Sequence, residues 1–432
     1  MLPTSSLFRQ RKTLNQYFIF PLPTLNLTGS IQMVFTFTLW NMLEMLEQKD
    51  PKPLRILVVT EAFLPQVNGV TNSVLRLLEF CRSQGHQVLV IAPESENAPK
   101  EYCGYKIKHV PSIDMKKLIP MGLPKRTLEP FIEGFAPDVI HLASPIFLGH
   151  YVARLAKKAG IPTVSVYQTD IAGFARHYGL TIAHATLKRW IARIHSTTDL
   201  TLAPSSWACR DLESSGVANV KLWQRGVNIE NFQPAKFDAD FRNELLTTRG
   251  RKPSPKYLVG YVGRLANEKR VSDLEVLDRH PDFQLLIVGD GPARAKLEND
   301  LPNAIFVGYQ SGADLARHVA ALDVFVHTGK HETFCQAIQE SLASGTVVVG
   351  PDSGGPIDLI EHGKTGLLID TANAHELLES VFTLAEHPAR DLMEEAARKS
   401  VEHRTWDQIN EQLITHYRET IRAVASQKDL VA

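Results

Sequence analysis

Glu332 and Glu340 stand eight residues apart in His331–Glu340 (HETFCQAIQE), directly after the apolar run Val324–His327. Glu332 falls in a loop, and Glu340 lies inside a helix expected over Phe334–Ser344. The amides of Thr333, Phe334 and Cys335 then sit at that helix's N-terminus. Amides and one carboxylate can hold sugar hydroxyls while the second carboxylate, two turns along, takes a ribose diol. A capping glutamate followed by a solvated one has the same spacing, and spacing does not choose between them.

Three other segments could do chemistry. Gly263–Lys269 (GRLANEK) puts Arg264 and Lys269 at a strand exit, where a guanidinium fork and a mobile ammonium can converge on a pyrophosphate or simply be solvated. Gly69, in Gln66–Val70 (QVNGV), enters a helix, so its amide can approach a phosphate or merely make a tight turn. Asp352–Gly366 holds Gly354, Gly355, Gly363 and Gly366 around a short turn starting at Gly355–Pro356. Two look-alikes are set aside. Val288–Arg294 (VGDGPAR) is a glycine turn into a helix with Pro292 near its start. Asp238-Ala-Asp240 spells a metal-binding D-x-D but follows no strand. No G-x-G-x-x-G follows the first strand, against a dinucleotide site.

These loops need strands and helices to aim them. Arg55–Thr60, Val88–Ala92, Val139–Leu142, Thr163–Tyr167 and Leu200–Ala203 read as strands, with a helix over Val70–Gln84 stopped by Gly85. A second series comprises Tyr257–Val262, Gln284–Val288, Ala304–Val307, Val324–His327 and Val347–Val349. Strands alternating with helices imply two parallel-sheet α/β domains, Rossmann-like, facing across a cleft. The expected parts are 53–230, 231–405, and an amphipathic helix over 406–425 that returns to the first domain.

The totals fit: 432 residues exceed one α/β core, and 44% hydrophobic with 22% charged residues describes a globular chain. Formal charge is zero, but residues 1–230 hold 25 basic and 17 acidic side chains, a balance of +8, leaving 22 and 30, or −8, for the rest. The N-terminal half is therefore the one to meet an anionic surface. Met115–Arg126 (MKKLIPMGLPKR) and the stretch of Lys188, Arg189, Trp190 and Arg193 are candidate membrane-docking faces. No basic run interleaved with aromatics suggests nucleic acid. Cys81, Cys103, Cys209 and Cys335 have no metal or disulfide spacing and read as reduced thiols. Ile31–Leu46 is too short and too polar to span a membrane. Residues 1–52 are expected to be a poorly ordered or misassigned extension, with an interfacial anchor as the alternative.

Taken in order, the segments resemble the retaining GT-B glycosyltransferases of family 4 over about residues 54–425. Thr60–Ser73 (TEAFLPQVNGVTNS), Tyr167–Ala172 (YQTDIA) and His331–Glu340 look most like actinobacterial GDP-mannose-dependent α-mannosyltransferases acting on membrane glycolipids, such as a glucuronosyl diacylglycerol or phosphatidylinositol mannosides. The resemblance implies that the Gly69 amide, Arg264 and Lys269 hold the pyrophosphate. Glu332 with the Thr333, Phe334 and Cys335 amides would hold the hexose, and Glu340 the ribose hydroxyls. Catalysis would rest on Arg264, Lys269 and Glu332, with no metal or other cofactor. The implied partners are a nucleotide sugar, a lipid acceptor and an anionic membrane surface, and the implied location is cytoplasmic, peripheral at the inner face of the plasma membrane. The alternatives are a UDP-sugar-dependent family 4 transferase acting on another lipid or small-molecule acceptor, and a sugar-nucleotide 2-epimerase, which shares the two-domain plan but would want further carboxylates and histidines about the sugar. Two departures stand out. Relatives carry a histidine on the acceptor side where this chain has Gln168, with Asp170 close by, and glutamine cannot carry a proton. Thr333 and Cys335 replace the usual glycines, so backbone approach there is less permissive.

Overall fold

Short β-branched runs with almost no charge suit strands covered on both faces, and they form two parallel sheets. A computed structural model describes residues 52–66, 68–115, 119–123, 127–168, 181–251 and 254–431. The extension 1–51, Asp170 and much of the 115–126 stretch lie outside the described residues. The first half contains β1 (Arg55–Thr60), β2 (Gln87–Pro93), β3 (Glu101–Tyr102), β4 (Tyr105–Val110), β5 (Ser112–Met115), β6 (Ile119–Gly122), β7 (Val139–Ala143), β8 (Thr163–Val166), β9 (Leu200–Ala203) and β10 (Val220–Leu222). Its main sheet runs β10-β9-β8-β7-β1-β2-β4-β3, parallel except at β3/β4, while β5 and β6 pair separately. The second half has β11 (Tyr257–Val262), β12 (Phe283–Val288), β13 (Ile305–Gly308), β14 (Val324–Val326), β15 (Val347–Pro351) and β16 (Gly366–Ile369), ordered β13-β12-β11-β14-β15-β16 and wholly parallel.

Strand order locates the site. β1 lies between β2 and β7, and β11 between β12 and β14, so each sheet has a switch point where successive crossovers diverge. Loops leaving the two strands at a switch point part company and open a crevice. Those loops carry Gly69 after β1, Arg264 and Lys269 after β11, and Glu332 after β14. The sequence reading offered no strand at β3, β4, β5, β6, β10 or β16: five of them run only two to four residues, and β4 (YKIKHV) interrupts its apolar positions with two lysines and a histidine.

Residues 53–432 form one unit in which the chain crosses between halves at adjacent points. Val227 pairs with Thr405, and a Cβ on Gly226 would lie 2.6 Å from the Trp406 Cα. The final helix, Trp406–Val431, runs six residues beyond its expected end and packs on the first half. Its Ile409, Leu413, Ile414 and Tyr417 join the core of β1, β2 and the Gly69–Ser83 helix, and the Tyr417 hydroxyl meets His141 Nδ1 at 2.8 Å. Asp238 caps the Ala239–Thr247 helix through the Phe241 amide (3.0 Å) and pairs with Arg317 at 2.6 Å, which gives the D-x-D match a structural role. The glycine turn after β12 is structural too: a Cβ on Gly289 would fall 1.9 Å from the Gly263 carbonyl.

Candidate active site

Strand β14 delivers His327 and Thr328 straight into the crevice. The Thr328 hydroxyl donates to the Lys269 carbonyl at 2.8 Å, tying the β11 loop to the β14 exit. Lys269 Nζ then reaches Glu332 Oε1, and His327 Nε2 meets the same oxygen at 3.1 Å. Tyr261 of β11 stacks on His327, with ring planes 12° apart. Two cations thus share one carboxylate oxygen.

The protonation states follow. Burial would raise the Glu332 pKa, but Lys269 and His327 outweigh it and hold the carboxyl well below the usual range. Burial opposes a charge on His327, yet the neighbouring Cys335 sulfur and Glu332 hold its pKa up at about 9. Lys269 is likewise raised, burial being outweighed by Glu332. Burial pushes the half-buried Glu340 up to about 8, with only a hydrogen bond from Gln336 opposing it.

A third cation, unexpected from the sequence, enters from the first half. Arg225, in the loop after β10, donates to Gln168 Oε1, and its guanidinium lies against Gly69, where a Cβ would meet Nη1 at 2.7 Å. Burial lowers its pKa to about 10 while Glu332 opposes the shift, so it stays charged. Its backbone is clamped by the other half: Gln339 Nε2 donates to the Arg225 carbonyl (2.9 Å) and Gln336 Nε2 to that of Gly226 (3.0 Å). The Thr333 hydroxyl donates to the Gln168 carbonyl at 3.0 Å. At about neutral pH Lys269, His327 and Arg225 gather around the Glu332 carboxylate, with Glu268 also acting on Lys269, while Glu340, a carboxyl titrating near 8, is mostly neutral. Such a crevice favours a polyanion.

The loop conformation corrects the expected helix. The helix after β14 is Gln336–Ala343, so Thr333 and Phe334 precede it and Cys335 caps it at φ +81°, a backbone conformation that favours glycine. The Gly355 amide donates to the Glu332 carbonyl at 2.7 Å, and a Cβ on Gly355 would lie 2.4 Å from the Phe334 Cα. The Asp352–Gly366 segment thus supports the backbone of 332–334. At Gly69, Asn68 caps the helix through the Val70 and Thr71 amides, both at 2.9 Å, and not through the Gly69 amide.

Lys269, Glu332, Thr333 and Gln168, which the sequence reading assigned to separate parts of the site, come together. Arg264 pairs with Glu268, and its side chain is 49% exposed. Glu340 makes no described contact with Glu332. Of the second basic stretch, Lys188 is neutralised by Asp211 at 2.5 Å. Sequence reasoning missed Arg225, whose loop carries no motif, and His327, read as the last residue of a strand. Among the described residues, ligand atoms of His327, Glu332 and Cys335 lie within 4.8 Å of one another, close enough to approach a metal ion. The Lys269 ammonium already holds the carboxylate oxygen such an ion would need.

Comparison with known proteins agrees with this layout. Residues 67–231 match the model of Glycosyltransferase Family 4, and residues 244–400 that of Glycosyl transferases group 1. A GDP-mannose-dependent alpha-mannosyltransferase of Mycolicibacterium smegmatis is 44% identical over 372 residues, covering 84% of this chain and 97% of that one. A GDP-mannose-dependent alpha-(1-6)-phosphatidylinositol dimannoside mannosyltransferase of Mycobacterium tuberculosis is 27% identical, covering 82% and 93%. The solved sucrose-phosphate synthase of Thermosynechococcus elongatus superposes with a TM-score of 0.70 at 20% identity, over 86% of this chain and all of that one, a likeness of fold.

Proposed function

The chain belongs to the family 4 glycosyltransferases, and on that premise we propose that it transfers mannose from GDP-mannose, with an alpha linkage, onto a membrane glycolipid of the glucuronosyl diacylglycerol or phosphatidylinositol mannoside type. The observation that carries the reading is the cationic crevice around Glu332, built from Lys269, His327 and Arg225. Glu332, ionised and held at one oxygen, is a hydroxyl-positioning group and cannot donate a proton. Lys269 and Arg225 take the pyrophosphate beside the Gly69 amide, and Arg264 joins them by leaving Glu268. Glu340 receives the ribose diol.

Transfer with retained configuration fits this set. The bond from the sugar C1 to the phosphate oxygen breaks, the acceptor oxygen bonds C1 on the same face, and its proton passes to the leaving diphosphate. Gln168 orients without carrying a proton, so the cations do the catalytic work by stabilising charge on the departing phosphate, each worth a few kcal/mol. No metal or further cofactor is assigned. The lipid acceptor is supported by the phosphatidylinositol-derived acceptor in the name of the M. tuberculosis relative, and the basic N-terminal half by its charge of +8 over residues 1–230. No helix among the described residues is long and apolar enough to cross a membrane. We place the enzyme peripherally at the cytoplasmic membrane face.

The test is a panel of GDP- and UDP-sugars incubated with purified enzyme and total membrane lipid. GDP-mannose should give a lipid product labile to α-mannosidase, with GDP released only when lipid is present. Transfer from a UDP-sugar alone, or GDP release without acceptor transfer, would overturn the assignment.

A further inference from the structure

Away from the crevice, helices Leu148–Ala159 and Thr181–His195 flank an open groove of about 690 Å³. His150, Arg154, Lys157 and Lys158 line it from the first helix, at spacings that put them on one face, and Trp190 and Arg193 from the second. Four of these side chains carry a fixed positive charge, and none has a carboxylate partner among the described residues. Lys188 on the same second helix does not line the groove and is neutralised by Asp211. Lys157 and Lys158 also suit the C-terminal end of their helix dipole, but Arg154, mid-helix, has no such reason to be there.

An aromatic pair sits at the rim. Phe147, 43% exposed, packs on Trp190 with ring centroids 5.0 Å apart. Cations beside an exposed Phe147 and a half-buried Trp190 match a lipid interface, where rings sit among headgroups and the charges take phosphate. A soluble phosphate gives the rings nothing to bury against.

We propose that this groove is a binding site for the phosphate headgroup of an anionic phospholipid, separate from the transfer crevice. It anchors the first half to the bilayer while the crevice works on a different lipid. The site rests on the reading that the acceptor is a membrane lipid, and it specifies which surface meets the membrane.

The test uses the full chain and co-sedimentation with vesicles of phosphatidylglycerol in phosphatidylcholine, against phosphatidylcholine alone. Binding should require phosphatidylglycerol and weaken about fivefold for each cation removed in Arg154→Ala, Lys157→Ala, Lys158→Ala and Arg193→Ala, all at exposed positions. Lys296→Ala and Lys364→Ala, exposed on the second half, should leave it unchanged. Transfer to acceptor dispersed in detergent should survive in every groove variant, which separates failure here from failure of the mannosyltransferase reading. Equal losses in groove and control variants would overturn the proposal. So would binding to phosphatidylcholine alone, or a groove that takes inorganic phosphate while vesicle binding ignores the four substitutions.

Discussion

Glu340 offers a direct check on the electrostatics of the crevice. Burial holds its pKa at about 8, whereas an exposed glutamate titrates near 4.3. Because the folded value is the higher one, Glu340 contributes stability in its neutral form below about pH 4.5, and that contribution is lost as pH rises through 8. The full gap corresponds to about 5 kcal/mol, and partial solvent access reduces it to roughly 1–2 kcal/mol. If Glu340 takes a ribose diol, two hydroxyls donate to it, the ionised form is favoured, and nucleotide binding must expel its proton. At about pH 7 a group titrating near 8 is roughly nine-tenths protonated, so GDP binding should release more than half a proton per site. Calorimetry of GDP binding in buffers of different ionisation enthalpy measures this release. Glu340→Gln serves as the reference, because it keeps the shape and leaves the nucleotide's own titration in place. The variant should show none of the extra release, and its melting temperature should vary less with pH between about 5 and 8. Equal proton release by the wild type and Glu340→Gln would refute the argument.

Other expectations concern the cations and the strained loop. Glu332→Ala leaves Lys269 and His327 without their shared counter-ion, so it should cut transfer at least about a hundredfold and destabilise by a few kcal/mol, read by single-turnover rates and thermal melts. Arg225→Gln should lower kcat by about a hundredfold or more with the melting temperature little changed, and Arg225→Lys should restore only part of it because the ammonium lacks the fork. Comparable activity in wild type and Arg225→Gln would remove it from the phosphate site. At Cys335, φ +81° penalises any side chain, so Cys335→Gly should be about 1 kcal/mol more stable than Cys335→Ala in denaturant titrations.

The central strands were legible because burial on both faces leaves uninterrupted apolar runs such as Ile56–Val59 and Tyr257–Val262, and their alternation with helices implies two parallel sheets. The loop chemistry of Lys269, Glu332 and Gln168 was legible too, since glycine and charge at a strand exit are local features. Convergence was not. Lys269 and Glu332 are 63 residues apart and meet because β11 and β14 are neighbours, a consequence of strand order that no local pattern records. Arg225 enters through the clamp of Gln336 and Gln339 across the two halves, and His327 becomes a site residue only because β14 ends one residue earlier than its apolar run suggests. The pairing of Arg264 with Glu268 and of Lys188 with Asp211 was likewise decided in three dimensions. Apolar burial is additive along the chain and leaves its mark in sequence, whereas the state of a charge depends on which distant groups the fold sets beside it.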